Sequence, residues 1–225
     1  MGWSTVPAVG LSVCTVTNAS PERLERWLLH VFDFADEVVV TVDATSPTAT
    51  AEVAQELSDV CAVAELGGVA NPAYDWTASR ATADWVLMLD DDEWLPAGFA
   101  ARLPELLSDR RFSHYHLPIR WVVNGVDGPV WLDQFPWSPN RAPRMFRNVA
   151  GLARHAAGAH SSWEVCGEGA TLGHEDESIY HLNLAMVDRA GREGKVRRHY
   201  RRAQPGAPSC EEYYLYEEYL ASIVQ

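Results

Sequence analysis

The sequence is poor in basic residues and in cysteine, and it contains no long apolar run. Lysine and arginine number 18 against 31 aspartates and glutamates, which gives a formal net charge of −13. Nucleic acid is a disfavoured partner for such a chain, because binding a phosphate backbone requires a basic field. No stretch reaches the length of a membrane span, and the first residues lack the basic start and apolar core of a signal peptide. We therefore expect neither a nucleic-acid partner nor a membrane span.

The four cysteines are widely separated and include no C-x-x-C pair; they are Cys14, Cys61, Cys166 and Cys210. This spacing argues against a zinc knuckle and provides no disulfide framework. Buried or incidental thiols in a reducing compartment are the simplest interpretation, so we expect a cytoplasmic protein.

Apolar, β-branched stretches alternate with helical patterns through residues 1–110. The spacing predicts strands at 9–17, 38–42, 60–66 and 85–89, with helices after Ser20 and at 50–58, 71–83 and 96–108. Such repeated units predict an α/β fold with a single doubly wound, mostly parallel sheet flanked by helices. Ligands bind beyond the carboxyl ends of the strands in sheets of this kind.

The second half of the chain has a different pattern. Strands are predicted at 114–123, 143–147 and 178–184, followed by a basic segment at 186–202 and a final helix at 210–223. We expect one domain at residues 1–185, with a first half at 1–110 and a second half at 111–185. A C-terminal helical extension at 186–225 completes the chain.

Four consecutive acidic residues, Asp90 to Glu93, follow the predicted strand at 85–89 directly. Adjacent carboxylates repel one another and are costly to remove from water unless positive charge neutralises them. Magnesium typically binds one or two carboxylates together with substrate phosphates, so a divalent ion bridging a diphosphate is one interpretation. The other is an acidic first turn of a helix. The run alone leaves both open.

The neighbouring residues favour the first interpretation. Residues 78–95, Ala-Ser-Arg-Ala-Thr-Ala-Asp-Trp-Val-Leu-Met-Leu-Asp-Asp-Asp-Glu-Trp-Leu, resemble the signature of family 2 glycosyltransferases of the A-type fold. In that signature a helix, a small residue, Asp-Trp, an apolar strand and Asp-x-Asp-Glu occur in this order. The resemblance extends to the first strand and to residues 41–46, 143–147 and 179–183, and so spans most of residues 9–185.

The resemblance implies an enzyme that transfers a sugar from a nucleotide-diphosphate sugar, with UDP, GDP or dTDP as the carrier, to an unknown acceptor hydroxyl. It implies inverting transfer and a divalent cofactor, Mn²⁺ or Mg²⁺. Residues 1–110 become the donor half, and residues 111–185 the acceptor and base half.

The resemblance also implies roles for individual residues. Asp43 would contact the nucleobase or ribose of the donor, and Asp92 would be the main metal ligand. The donor-binding set is Thr15, Asp43, Arg80, Asp90 and Asp91, and the metal-binding set is Asp92, Asp90 and His181. A core histidine packed on a strand is the alternative interpretation of His181.

The catalytic base is a further prediction. Inverting transfer needs a carboxylate that accepts the proton of the acceptor hydroxyl. Many relatives have this acid directly after a histidine, where this chain has His160-Ser161. Glu164 is therefore the first candidate, followed by Glu168 and by Glu175 and Asp176. The alternative for each is a solvated surface acid.

Aromatic and basic side chains mark the acceptor half. Trp131, Phe135 and Trp137 crowd one loop, and their rings offer faces on which an acceptor sugar stacks, unless the loop folds inward and buries them. Between 186 and 202 seven basic residues stand against two acidic ones. This segment would close over the donor diphosphate or meet a phosphorylated acceptor, or it is a solvated helix.

Two departures from the family pattern support a second hypothesis. Tyr74-Asp75 stands where the family often has Arg-Asn, and Asn18-Ala19 stands where it often has Asn-Glu. The alternative function is therefore a non-catalytic sugar- or nucleotide-binding protein that retains the fold. A nucleotidyltransferase is disfavoured, because residues 15–21 contain no glycine-rich basic loop.

Overall fold

The computed structural model describes residues 9–155, 162–173, 175–202 and 211–217. Its strands are β1 (Leu11–Thr17), β2 (Glu37–Asp43), β3 (Val60–Ala64), β4 (Trp85–Met88), β5 (Glu93–Trp94), β6 (His114–Gly125), β7 (Gly128–Trp131), β8 (Arg141–Arg147), β9 (Ala153–His155), β10 (Trp163–Val165), β11 (Gly169–Thr171) and β12 (Ile179–His181). Its helices are α1 (Pro21–Val31), α2 (Thr48–Leu57), α3 (Tyr74–Ala78), α4 (Ala97–Ser108), α5 (Asn183–Met186), α6 (Arg189–Arg202) and α7 (Glu211–Tyr214). Short 3-10 turns lie at Asn71–Ala73 and Glu175–Glu177.

Most strands belong to one sheet with the order β3-β2-β1-β4-β8-β6-β12-β5. Strands β3, β2, β1 and β4 are parallel, and β8 runs antiparallel to both β4 and β6. Because β8 reverses direction, β6 and β12 run the same way as β4. The predicted α/β class with a mostly parallel sheet flanked by helices is confirmed. Strands β9 and β10 form a separate hairpin.

Helix α1 follows the sequence pattern closely. Ser20 is its N-cap, with a side chain that accepts a hydrogen bond from the Arg23 N–H, and proline occupies the first helical turn. The buried residues are Leu24, Trp27, Leu28 and Val31, at helical spacing. This face fixes α1 against the sheet, and its N-terminus lies at the end of β1.

Two predicted elements are shorter than expected. The helix predicted at 71–83 is a 3-10 turn followed by α3, which ends at Ala78. The strand predicted at 178–184 ends at His181, and α5 begins at Asn183. The start of α5 lies beside the acidic run, where Asn183 donates to Asp92.

The two faces of the sheet have separate apolar cores. One core unites residues of α1, α4, α6 and α7, including Phe99, Val196 and Tyr214. The other holds Met88 of β4 against Ala78 of α3 and Trp163 of β10. The C-terminal helices therefore pack into the same core as the first half of the chain. None of the helices in the described ranges has the length and apolar character needed to cross a bilayer.

The loop between β7 and β8 buries one of its three predicted acceptor rings. Trp137 is 0% exposed, and its indole N–H donates to the carbonyl oxygen of Tyr213 at 3.2 Å. The prediction that Trp137 offers a stacking face to a sugar is therefore corrected, because the ring anchors the loop to the C-terminal region. Phe135 is 70% exposed and Trp131 is 38% exposed.

This difference in burial predicts different effects on stability. Trp137→Ala should lower the free energy of unfolding by about 3–5 kcal/mol, because it removes a fully buried aromatic ring. Phe135→Ala, two residues away, should change it by less than about 0.5 kcal/mol. Urea denaturation followed by far-UV circular dichroism measures both. Equal midpoints for the two variants would contradict the anchoring role of Trp137.

Candidate functional site

The acidic run lies at the carboxyl end of β4, as expected. Its four residues form a turn in which the Glu93 N–H donates to the Asp90 carbonyl at 2.9 Å. The chain then enters β5, which pairs antiparallel with β12 and sets Glu93 opposite His181. The turn points its four carboxylates at different partners, so each acid has its own environment.

Asp90 and Glu93 share one cation. The Arg144 guanidinium lies 2.6 Å from Glu93 Oε1 and 3.6 Å from Asp90 Oδ2. The Tyr74 hydroxyl donates to Asp90 Oδ1 at 2.8 Å. The Glu93 side chain is fully buried, whereas that of Asp90 is 27% exposed. Burial raises the pKa of Glu93 to about 8, and the Arg144 guanidinium opposes a larger rise.

Asp91 points back toward the first strand and helix. Its carboxylate lies 2.8 Å from the Arg23 guanidinium and accepts a hydrogen bond from the Thr17 hydroxyl. Burial raises the pKa of Asp91, while Arg23 opposes the rise. These contacts tie the acidic turn to β1 and α1. They engage the carboxylate that was predicted to bind the donor.

Asp92 faces β12 and α5. Its Oδ2 accepts a hydrogen bond from the Asn183 amide at 2.8 Å, and its Oδ1 lies 3.7 Å from Nε2 of His181. The Asp92 carbonyl also accepts from the Leu182 N–H at 2.7 Å. The His181 ring packs on Trp121 with centroids 3.9 Å apart. Two of the three predicted metal ligands are thereby brought side by side.

The electrostatics of this pair suit a cation site. Burial alone would raise the pKa of Asp92, but interactions led by those with His181 and Lys195 hold that pKa below its usual range. Burial lowers the pKa of His181, although Asp92 opposes the shift. An ionised carboxylate beside a neutral imidazole is the protonation state that a metal ion requires of its ligands.

Asp92 and His181 would need further ligands to bind a metal ion. In the described part of the chain, no three histidine, cysteine, aspartate or glutamate side chains lie close enough together to hold an ion by themselves. A divalent ion of the magnesium type typically takes one or two carboxylates and completes its shell with substrate phosphates and water. The Asp92 carboxylate is a ligand of the kind that Mn²⁺ and Mg²⁺ prefer, and the His181 imidazole lies beside it, whereas the Asp90 carboxylate contacts Tyr74 and Arg144.

Asp43 shapes a loop at the same edge of the sheet. Its carboxylate accepts backbone hydrogen bonds from Thr45 at 3.0 Å, from Gly67 at 3.2 Å and from Gly68. Burial opposes the shift, but these bonds lower the pKa of Asp43. Gly67 and Gly68 have φ values of 62° and 83°, which favour glycine. Since β2 and β4 flank β1, Asp43 lies about 10 Å from the acidic run, two strand spacings away.

Two predicted donor-binding residues, Thr15 and Arg80, make no described hydrogen bond or ion pair with the acidic run. Thr15 is fully buried inside β1, and its hydroxyl has no hydrogen-bond partner among the described residues. Arg80 lies in the exposed turn after α3, with its guanidinium 4.6 Å from the Trp76 ring. Helix α3 begins at Tyr74 beside Asp90, so its far end carries Arg80 toward the opposite edge of the sheet. The structure joins neither side chain to the acidic run.

The candidate bases are also dispersed. Glu164 lies on β10, where its 61% exposed carboxylate pairs with Arg154 at 2.9 Å. Glu168 precedes β11, whose register with the start of β6 places it at the amino-terminal edge of the sheet. Asp176 packs beside Gly98 of α4. His160, Ser161 and the side chain of Glu175 lie outside the described residues.

Trp131 lies on the other side of the β6–β12 pair from Asp92. Its ring stacks under the Arg120 guanidinium at 4.7 Å and lies 6.4 Å from the Tyr180 ring. Tyr180 and His181 are consecutive on a strand, so their side chains point to opposite faces. The structure therefore separates this exposed ring from the carboxylates.

Several residues of the site were not predicted individually. Arg144 and Asn183 belong to segments that carry the family resemblance, but no role followed from those segments. By the family resemblance, Tyr74 stands where an arginine is frequent, and its hydroxyl contacts Asp90. Lys195, within the basic segment, lies on α6 near Asp92. The sequence motifs indicated the segments that contain these residues. Only the folded chain shows which carboxylate each of them contacts.

A family model, Glycosyl transferase family 2, matches residues 12–163. The chain belongs to this family. It is a glycosyltransferase, as the resemblance implied, and the match includes β1, the acidic run and the strand that carries Arg144. No protein with a curated description matches the chain in sequence.

The fold is similar to that of a solved glycosyltransferase. The mannosyltransferase PcManGT from Pyrobaculum calidifontis, solved with GDP-Man and Mn²⁺, has a TM-score of 0.53 and 14% sequence identity, over 97% of this chain and 72% of that chain. Residues 1–349 of TarS from S. aureus have a TM-score of 0.43 and 20% sequence identity, over 62% of this chain and 47% of that chain. The inositol-1-phosphate CTP transferase from T. maritima has a TM-score of 0.37 and 8% sequence identity, over 62% of this chain and 70% of that chain. The first match confirms the A-type glycosyltransferase fold, whereas scores below 0.5 do not establish a shared fold.

The Arg144–Glu93 pair predicts a non-additive effect on stability. Arg144→Met should lower the free energy of unfolding by about 3–5 kcal/mol, because it leaves a buried carboxylate without its cation. Adding Glu93→Gln to that variant should recover part of the loss, since no buried charge then remains. Arg141→Met, at an exposed position of the same strand, is the control. Chemical denaturation of the wild type, the two single variants, the double variant and the control measures the coupling, and strictly additive effects would contradict it.

Proposed function

We propose that this glycosyltransferase is metal-dependent and inverting, and that it transfers a sugar from a nucleotide-diphosphate sugar to an acceptor hydroxyl. Asp92, Asp90 and His181 would hold the divalent ion, Mn²⁺ or Mg²⁺. The observation that carries the proposal is the convergence of Asp92 and His181 at the carboxyl end of β4, two residues along the acidic run from Asp90. In an α/β sheet that edge is where ligands bind.

The protein residues around this edge have distinct tasks in such a reaction. The Asn183 amide orients the Asp92 carboxylate, and the Tyr74 hydroxyl orients that of Asp90. A bound divalent ion would supply charge stabilisation for the departing nucleoside diphosphate. Fixing the carboxylates in advance lowers the cost of organising the site during the reaction.

The donor half supports a nucleotide as the leaving group. Asp43 and its glycine loop lie at the same edge as the acidic run, where the resemblance assigns contact with the nucleobase or ribose. PcManGT, which shares the fold, was solved with a nucleotide sugar, GDP-Man. The carrier nucleotide of this chain, whether UDP, GDP or dTDP, is a question for binding measurements.

Glu164 is the base in this proposal. Its hairpin is tied to the donor side, because the His155 N–H donates to Asp75 at 2.6 Å and the His155 ring contacts Tyr74 at 4.8 Å. Tyr74 in turn contacts Asp90, so the hairpin flanks the acidic run. An acceptor would replace the solvent that now surrounds the Glu164 carboxylate. The exposed rings of Phe135 and Trp131 stay predictions for acceptor contact.

Calorimetry with UDP-, GDP- and dTDP-sugars, with and without Mn²⁺, tests the donor site. One nucleotide class should bind in a Mn²⁺-dependent manner, and Asp92→Ala should weaken that binding by about tenfold or more, since a charged ligand contact is lost. Asp127→Ala, in the exposed β6–β7 turn, should bind as the wild type does. Absence of binding to every donor by the folded protein would refute the assignment and favour a non-catalytic role. Donor turnover separates an enzyme from a binding protein.

The base assignment has its own test. Glu164→Gln should lower kcat by about 10²–10⁴-fold, the usual contribution of general base catalysis, while donor affinity stays the same. Glu168→Gln, at the opposite edge of the sheet, should leave kcat unchanged. Transfer assays measure kcat, and calorimetry measures donor affinity. Wild-type kcat in Glu164→Gln would exclude Glu164 as the base.

A further inference from the structure

The basic segment contributes one side chain to the interior of the site. Lys195 of α6 is half-buried, and its ammonium lies 4.5 Å from the centre of the Tyr214 ring on α7. That ring contacts Trp121, which also packs on the His181 imidazole. A continuous row of rings therefore connects Lys195 to the metal-ligand candidates. By contrast, Arg197 on the same helix is exposed and pairs with Glu193.

Helix α6 is held in position by a second basic residue. Arg192 is buried, and its guanidinium donates to the Tyr214 carbonyl at 3.0 Å and pairs with Glu217. It also stacks on the Tyr216 ring at 4.9 Å. These contacts fix α6 against the C-terminal helical region. The position of Lys195 is thus set by packing and not by a solvated, mobile surface.

Lys195 lies within electrostatic range of both Asp92 and Asp90. The two arginines beside the acidic run are already paired with its carboxylates, Arg23 with Asp91 and Arg144 with Glu93 and Asp90. An ammonium group has three N–H donors, and a hydrogen bond to the Tyr214 hydroxyl does not use all of them. Lys195 therefore retains donors for a phosphate group.

Helix α3, whose residues are Tyr-Asp-Trp-Thr-Ala, contains no basic side chain. The Tyr74 hydroxyl at its start donates to Asp90. A nucleotide-diphosphate sugar brings negative charge to an edge already occupied by carboxylates. Positive charge must balance it, because a buried or half-buried anion without a partner is costly.

We propose that Lys195 binds the diphosphate of the donor, supplying from the C-terminal helix the positive charge that α3 lacks. This inference rests on the proposed function, since it requires a diphosphate donor at the carboxyl end of β4. It makes the C-terminal helices part of the donor site. Lysine suits the task because it binds phosphate as a flexible point charge.

Binding of UDP, GDP and dTDP and of their monophosphates, in the presence of Mn²⁺, tests the assignment. Lys195→Met should weaken diphosphate binding by about tenfold to a hundredfold, which corresponds to a charged hydrogen bond. Monophosphate binding should weaken less. Lys195→Arg should restore most of the diphosphate affinity. Arg197→Met, two residues along the same helix, is the matched control and should bind as the wild type does.

The outcomes separate the two proposals. If the wild type binds a diphosphate and Lys195→Met binds it equally well, the Lys195 assignment is wrong while the proposed function stands. Equal weakening for monophosphates and diphosphates would indicate a structural role and also overturn the assignment. If the folded wild type binds no nucleotide, both proposals fail. Circular dichroism monitors folding. If Lys195→Met does not fold, the same binding measurements are made with Lys195→Gln.

Discussion

Four adjacent carboxylates at the end of a buried strand are the constraint on which this structure depends. Each would be costly in isolation, and together they repel one another. The fold resolves this by bringing polar and basic partners from several elements, with Asp90 and Glu93 sharing Arg144. Arg23 comes from α1, Arg144 from β8, Asn183 from α5, and the His181 ring from β12. The acidic turn thereby links the parallel half of the sheet to the mixed half.

Positive charge is brought to the acidic run although the chain has a net charge of −13. Arg23 and Arg144 pair with its carboxylates. Helix α6, which resembles a solvated basic helix in sequence, places Arg192 in the interior and Lys195 near Asp92. Its remaining described arginines lie outside and pair with Glu193. A single helix therefore has both a structural face and a face toward the site.

Departures from the family pattern acquire a physical explanation in the folded chain. Tyr74 replaces a frequent arginine, but the phenol still reaches Asp90 and fixes its orientation without adding charge. Asp75 accepts a hydrogen bond from the hairpin that carries Glu164. The charge near Asp90 therefore comes from Arg144 of β8 and Lys195 of α6.

The sequence by itself determined the α/β class, the first helix with its cap, and the place of the acidic run, because hydrophobic period and capping are local properties. It also determined the family, through motifs that follow one another along the chain. Only the tertiary structure decided which carboxylate meets which partner, that Trp137 is buried while Phe135 is exposed, and that Arg80 and Glu168 lie away from the acidic run. These outcomes depend on contacts between residues distant in sequence, such as Asp92 with Asn183, and no local pattern encodes such pairings.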